Sequence, residues 1–304
     1  MTRAFFIVGP TASGKSEIAA DVTREVGAEI VSADAFQIYR GLDLLTAKPE
    51  SSTLAKAPHH LIGTVPLIED MNAEKYRRAA IRAIEEINSR GKLAIVVGGS
   101  GLYIKALTHG LAPLPESDPK LRARLNAMSL NDLRSQLVEL DPETARKIDI
   151  QNRRRVVRAL EICLLTGKPL SAQRRREGAS HSEAARGIFV FRDREELYGR
   201  INQRVEMMLE HGVTGEVRTA GRTSATASQM IGLREIREFL AGKKSLPQSI
   251  AEIQQATRRY AKRQLTWFRR QSNFLPLNLS FLTHNEAVKW ISLRILSEAG
   301  TRDD

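Results

Sequence analysis

Ala4-Phe5-Phe6-Ile7-Val8-Gly9-Pro10-Thr11-Ala12-Ser13-Gly14-Lys15-Ser16 is the stretch that decides the fold. A short apolar run leads without a break into G-x-x-x-x-G-K-[ST], and a helical period follows, with Ile18, Val22 and Val26 on one face. A strand that ends in such a loop and opens a helix is built to wrap a phosphate group. Glycines let the backbone curl, successive N–H groups converge on the anion, and the positive end of the helix dipole faces it. Lys15 adds a point charge, and the Ser16 hydroxyl suits Mg²⁺. The expected diphosphate or nucleotide cradle is therefore Gly9, Pro10, Thr11, Ala12, Ser13, Gly14, Lys15 and Ser16. The motif calls for a polyphosphate without saying what is done to it.

Outward from this loop, strand and helix patterns alternate. Ala28-Glu29-Ile30-Val31 reads as a second strand and His60-Leu61-Ile62 as a short third. Tyr76, Ala80, Ile84 and Ile87 mark a helix, and Ala94-Ile95-Val96-Val97 another strand. This β-α-β alternation predicts an α/β fold, a P-loop NTPase-like parallel sheet with helices on both faces. The pattern changes at Leu111-Ala112-Pro113-Leu114-Pro115-Glu116-Ser117-Asp118-Pro119, a proline-rich break. From Lys120 to about Glu177 it is helical, and strand character returns at Gly187-Ile188-Phe189-Val190-Phe191. Residues 113–186 are thus expected to form an all-helical domain inserted into a core of 1–112 and 187–304. A helix on Leu197, Ile201, Val205 and Met208 follows. The last long helix is expected to carry Ile250, Ile253, Thr257, Ala261, Leu265 and Phe268.

The formal charge of the 304-residue chain is +12, with 42% hydrophobic and 27% charged residues. That composition suits a folded chain, and the excess of cations favours a polyanionic partner. A single cysteine, Cys163, excludes an internal disulfide and any multi-cysteine zinc site. It sits in the apolar run Ala159–Leu165 and reads as core. No signal-peptide pattern precedes the first strand, and no apolar stretch reaches the roughly 18 residues of a membrane span. The expected state is a cytoplasmic monomer with no membrane association.

Ser32-Ala33-Asp34 ends the second strand, where parallel sheets bind ligands. A carboxylate there can hold Mg²⁺ or accept a proton, or simply cap a turn. Gly98-Gly99-Ser100-Gly101 ends another strand and offers close backbone approach and a hydroxyl. Two regions concentrate cations: Arg153-Arg154-Arg155 with Arg158 and Arg174-Arg175-Arg176, and then Arg258-Arg259, Lys262-Arg263 and Arg269-Arg270 among Tyr260, Trp267 and Phe268. No acidic residue occurs from Ile253 to Asn285. Single-sign runs interleaved with aromatics suit phosphates and unpaired bases. His59-His60 alternate across a strand and do not form a metal pair.

These motifs, in this order, resemble the bacterial tRNA dimethylallyltransferase family, the tRNA isopentenyltransferases. The resemblance is carried by Gly9–Ser16, Ser32–Gly41, Thr46-Ala47-Lys48-Pro49, Pro58–Leu61, Gly98–Leu107, Arg158–Glu161, Ile231–Glu235 and Ala261–Phe268, and runs from residue 4 to about 270. It implies transfer of the five-carbon group of dimethylallyl diphosphate to N6 of the adenosine on the 3′ side of the anticodon, with Mg²⁺. It assigns Asp34 to the adenine N6 and its proton, with Ser100 beside it, and Lys15, Ser16 and Arg204 to the diphosphate. It also implies tRNA contacts at Asp34, Ala35, Phe36 and Gln37, at Ser100 and Arg122, and along Arg154, Arg155, Val156, Val157 and Arg158. Further contacts are implied at Gln229, Met230, Ile231, Gly232, Leu233 and Arg234, and at Lys262, Arg263, Gln264, Trp267 and Arg269. The family usually carries Thr at Ser100, Ser at Ala35 and Tyr at Leu233; Ser100 keeps the hydroxyl. An isopentenyltransferase acting on free adenine nucleotides would not need the two basic regions. A small-molecule P-loop kinase would leave Gly98–Leu107 unexplained, and a non-enzymatic nucleotide-regulated RNA-binding protein would form no product.

Overall fold

The computed structural model describes residues 3–112, 114–175 and 186–300. Pro113 of the proline-rich break and Arg176 of the second arginine triplet lie outside these residues, as do the side chains of Arg174 and Arg175. The chain divides into two compact units, Met1–Thr108 with Glu183–Asp304, and His109–Ser182.

The first pass runs through β1 (Ala4–Val8), α1 (Lys15–Glu25), β2 (Glu29–Ala33), α2 (Ser51–Leu54) and β3 (His59–His60). Helix α3 (Ala73–Ser89), strand β4 (Ala94–Gly98) and helix α4 (Gly101–His109) complete it. The second unit holds α5 (Pro119–Ala127), α6 (Leu130–Leu140), α7 (Pro142–Lys147), α8 (Arg153–Thr166) and α9 (Leu170–Arg175). The chain returns through β5 (Arg186–Phe191), α10 (Arg194–Glu210), α11 (Val213–Thr219), α12 (Leu233–Leu240) and α13 (Leu246–Phe268). It ends in β6 (Phe274–Asn278) and α14 (His284–Gly300).

The six strands form one parallel sheet in the order β3-β2-β4-β1-β5-β6. Successive side chains on a strand face opposite sides, so each strand feeds two cores. Phe5, Ile7, Ile30 and Ile95 pack against Ile18 and Val22 of α1 and Val288 and Ile291 of α14. Phe6, Val8, Val31 and Val96 face Tyr76 and Ile84 of α3, Ile104 of α4, and Ile253 and Phe268 of α13.

Three elements differ from the sequence reading. The third strand begins at His59 and is only two residues long, because Leu61 turns into the left-handed region at φ 64°. Strand β6 was not anticipated: Pro276 in Phe274–Asn278 breaks a strand pattern, and only an edge position, which β6 occupies, tolerates it. The helix on Ile250–Phe268 is not the last long one, since α14 follows it and covers the face shared with α1.

In the helical unit Leu125, Leu133, Leu137, Val156, Leu160 and Cys163 form a separate core. Burial pushes the Cys163 thiol above its ordinary pKa. Glu161 lies in this unit at 0% exposure. It accepts hydrogen bonds from Arg122 Nη2 at 2.6 Å, Arg158 Nη1 at 2.6 Å and Ser117 Oγ at 2.7 Å. Burial pushes its pKa up, and the bonds from Arg158, Ser117 and Arg122 more than reverse this, so its carboxyl stays below the ordinary range. A carboxyl depressed in the folded state stabilises it above the unfolded pKa, and this is lost as pH falls through the depressed value. Glu161→Ala leaves two arginines half-buried without their partner. It is expected to cost about 2–3 kcal/mol in urea denaturation at neutral pH, below the range for fully buried pairs because both guanidinium groups reach solvent. The difference from wild type shrinks below about pH 4.

Candidate active site

The phosphate loop follows β1 as its motif requires. Ala12 at φ 62° and Gly14 at φ 91° both enter the left-handed region, which curls the loop and turns its N–H groups inward. The first N–H groups of α1 have no intrahelical acceptor and point the same way. Lys15 Nζ donates to the Pro10 carbonyl at 3.3 Å.

Three arginines hold the loop from outside. Arg192 Nε donates to Ser13 O at 2.9 Å, Arg200 Nε to Ala12 O at 2.9 Å, and Arg204 Nη2 to Thr11 Oγ1 at 2.8 Å. Arg200 and Arg204 are one turn apart on α10, beside its apolar stripe. Two polar atoms here are buried with no partner, Ser13 Oγ and Arg204 Nε. Such orphans are costly, and a bound anion beside Arg204 would satisfy its Nε. Burial lowers the Lys15 pKa to about 8, opposed by the Asp34 carboxylate and assisted by Arg204. Burial also lowers the Arg204 pKa, again against the pull of Asp34.

Asp34 follows β2 as expected. Its Oδ1 accepts from the Phe36 N–H at 2.9 Å and the Gln37 N–H at 3.2 Å, so the aspartate turn and the functional carboxylate are one feature. Oδ2 is left for another donor. Ser100 Oγ accepts from the Ala35 N–H at 2.9 Å, which ties the end of β2 to the turn after β4. Asp34 lines two cavities. One is shared with Lys15, Ser16, Ser32, Gln37 and His59. The other, larger one is shared with Thr11, Arg204 and Tyr260 and walled by Val205, Met208, Met230, Ile231 and Ile253. No group of three His, Cys, Asp or Glu able to hold a metal exists among the described residues. Ser16 opens α1 with a hydroxyl that lines the smaller cavity beside Lys15 and Asp34, which fits Mg²⁺ held largely by phosphate oxygens and water rather than by a protein cage.

Helix α13 has two faces. Tyr260, Gln264 and Trp267, spaced at i, i+4 and i+7, lie over the Gly99–Gly101 turn. Gln264 Nε2 donates to Gly99 O at 2.9 Å. A Cβ on Gly101 would sit 2.7 Å from the Trp267 ring, and Tyr260 is beside Ser100 and raised in pKa by burial. Lys262 and Arg269 are exposed on the other side, and Arg263 is exposed at the edge with its guanidinium over the Tyr260 ring, 5.7 Å from the centroid.

Several implied RNA contacts have other work. Val156 and Val157 are 0% and 5% exposed and belong to the core of the helical unit. Arg153 Nη2 caps the Asn126 carbonyl at 2.7 Å and also reaches Met128 O. Arg122 and Arg158 are engaged by Glu161. In this cluster Arg154 and Arg155 alone are exposed with no ion pair among the described residues. Met230 and Leu233 are buried, Gln264 is 5% exposed, and Arg234 pairs with Glu235 at 2.7 Å. Charge and apolar pattern do not reveal which arginine of a run meets a carbonyl or carboxylate distant in sequence. Arg192, Arg200, Tyr260 and the bracing by Gln264 were missed for the same reason. The repeat of arginine at 200 and 204 was the available hint.

The sequence matches the family model described as IPP transferase over residues 37–271. The chain belongs to that family. A tRNA dimethylallyltransferase from Citrifermentans bemidjiense is 45% identical over 271 residues, covering 87% of this chain and 88% of that relative. The crystal structure of the full-length tRNA isopentenylpyrophosphate transferase from Bacillus halodurans matches with a TM-score of 0.73 at 32% identity, over 100% of this chain and 98% of that one. A eukaryotic dimethylallyltransferase seen acting on tRNA matches with a TM-score of 0.81 at 25% identity, over 97% and 80%.

For a member of the IPP transferase family with this loop, the titration of Lys15 is measurable. Its ammonium loses a proton near pH 8 in the free protein, and a bound diphosphate favours the charged form. Pyrophosphate titrated with Mg²⁺ in a calorimeter should be accompanied by proton uptake above about pH 8. Lys15→Ala should lower the affinity by about tenfold or more and abolish the uptake. Equal proton uptake in both proteins would assign the titration to another group.

Proposed function

We propose that the protein transfers the dimethylallyl group of dimethylallyl diphosphate to N6 of the adenosine on the 3′ side of the anticodon in tRNA, as a cytoplasmic monomer. The observation that carries this reading is the position of Asp34, which lines both cavities with one carboxylate oxygen left over, next to the cationic loop. Membership of the family and the activities named for its relatives support the same reading.

The residues divide the reaction between them. The N–H groups of the loop, Lys15 and Arg204 hold the diphosphate and take up negative charge as the allylic C–O bond breaks. Ser16 would help to hold Mg²⁺, which when bound would supply further stabilisation of charge on the leaving group. The apolar wall of the larger cavity accommodates the five-carbon chain. The adenine leaves the anticodon-loop stack to reach the carboxylate. Asp34 Oδ2 accepts a hydrogen bond from the N6 amino group and then its proton as the C–N bond forms, and pyrophosphate departs. None of the loop's contacts reads a nucleoside, so ATP can compete for it and no phosphoryl group is transferred.

The test is nucleoside mass spectrometry of tRNA incubated with the protein and dimethylallyl diphosphate in ATP-free buffer, with and without EDTA. Dimethylallyladenosine should form without ATP and be lost with EDTA. Asp34→Ala should slow single turnover by about 10²–10⁴ while tRNA binding persists. A strict requirement for ATP hydrolysis would sink the account of the loop.

The exposed cations Arg154 and Arg155, with Lys262, Arg263 and Arg269, are proposed to meet tRNA phosphates. Reversing Arg154 and Arg155 to Glu should weaken tRNA binding and reduce its salt slope by roughly 1–2, with an unchanged melting temperature. An unchanged slope with a lowered melting temperature would make the pair structural.

A further inference from the structure

Gln264 is buried on the inner face of α13, and both ends of its amide are used. Its Oε1 accepts from the Thr11 N–H at 2.9 Å, and its Nε2 donates to Gly99 O at 2.9 Å. Thr11 belongs to the phosphate loop and also carries, on Oγ1, the hydrogen bond from Arg204. Gly99 precedes Ser100, whose hydroxyl receives the N–H of Ala35 next to Asp34. One planar amide therefore spans the diphosphate side and the proton-accepting side of the site. The contact is close: a Cβ on Gly99 would lie 2.3 Å from Gln264 Nε2 and 2.7 Å from Gly9 O. Among the described residues no other side chain bonds directly to both loops.

We infer that Gln264 is a positioning residue that fixes the phosphate loop and the Ser100 turn relative to each other, and so sets the approach of the allylic carbon to the nucleophilic amine. This rests on the reading of the loop as a diphosphate site. It reassigns a residue whose place in the Lys262–Arg269 segment suggested RNA contact, and its 5% exposure leaves nothing for RNA to touch. Bond formation needs the reacting atoms at near-contact distance, and a shift of about 1 Å can cost about 10²-fold in rate. A backbone bond from Gly9 N to Gly98 O, 3.2 Å long, also joins them where β1 and β4 end.

The amide needs an acceptor at one end and a donor at the other, and this can be separated from packing. Gln264→Leu keeps the size and removes both functions. Gln264→Glu keeps the acceptor for Thr11 and, only when its carboxyl is protonated, restores the donor to Gly99. The titratable and charged groups around this position are Lys15, Arg204, Asp34 and Tyr260, with Arg263 on the same helix. All are common to wild type and variants, so each rate is taken as a ratio to wild type at the same pH.

Single-turnover transfer, pyrophosphate affinity and melting temperature are to be measured for the three proteins between about pH 6 and pH 8. Wild type should bind pyrophosphate. Gln264→Leu should lower the transfer rate by about 10–100-fold at every pH, more than it lowers tRNA affinity. Burial beside the Gly99 carbonyl raises a carboxyl at this position, so Gln264→Glu should match that loss near pH 8 and recover as the pH falls. A wild-type rate in Gln264→Leu would overturn the inference. Failure of wild type itself to bind pyrophosphate would overturn the reading of the loop, and the inference with it.

Discussion

The site depends on positive charge held around a single loop. Lys15 and Arg204 are withdrawn from water enough to lower their pKa values, and one carboxylate, Asp34, opposes the shift at both. Arg192 and Arg200 stand behind them on the outward carbonyls of Ser13 and Ala12. Desolvated cations with a single opposing carboxylate are unstable by themselves. They persist because the Pro10 carbonyl holds Lys15 and the Thr11 hydroxyl holds Arg204, and because the centre of the cluster suits an anion. In the reaction proposed, a leaving diphosphate is such an anion, and groups that hold it would also favour its departure as its charge grows.

The parallel sheet brings the reacting groups together. β1, β2 and β4 are adjacent and end on one side, so the phosphate loop, Asp34 and Ser100 emerge as neighbours although they are far apart in sequence. The sheet alone leaves each loop free to settle separately. The Ala35 bond to Ser100 and the Gln264 amide join them, and the joining residues lie on elements the strands do not specify. Helix α13 thus presents Lys262 and Arg269 outward and holds the Gly99–Gly101 turn inward.

Burial sorts the basic residues more sharply than charge does. In the Arg153–Arg158 run, one arginine caps carbonyls, one meets a buried glutamate, and two remain in solvent. Val156 and Val157, between them in sequence, belong to the core. A helix that carries a core stripe cannot offer every residue of a run to a partner, since about 3.6 residues complete each turn. The polyanion preference of the whole chain and the availability of a given arginine are separate questions.

The sequence by itself determined the strand–loop–helix at Ala4–Ser16, the α/β alternation, the helical stretch after the proline-rich break, and the strand-end positions of Asp34 and Ser100. These follow from local rules: side-chain period, turn chemistry and a loop whose function needs particular residues at fixed spacing. Through its ordered motifs the sequence also indicated the family, and with it Arg204, which composition and period would have left as a surface charge. Only the tertiary structure decided that Arg192 and Arg200 brace the loop, that Arg122 and Arg158 are committed to Glu161, that β6 forms an edge, and that Gln264 links Thr11 to Gly99. Apart from the one-turn pair of Arg158 and Glu161, each of those contacts joins residues distant along the chain. A polar side chain reveals its partner only when folding has excluded water and left one acceptor or donor within reach.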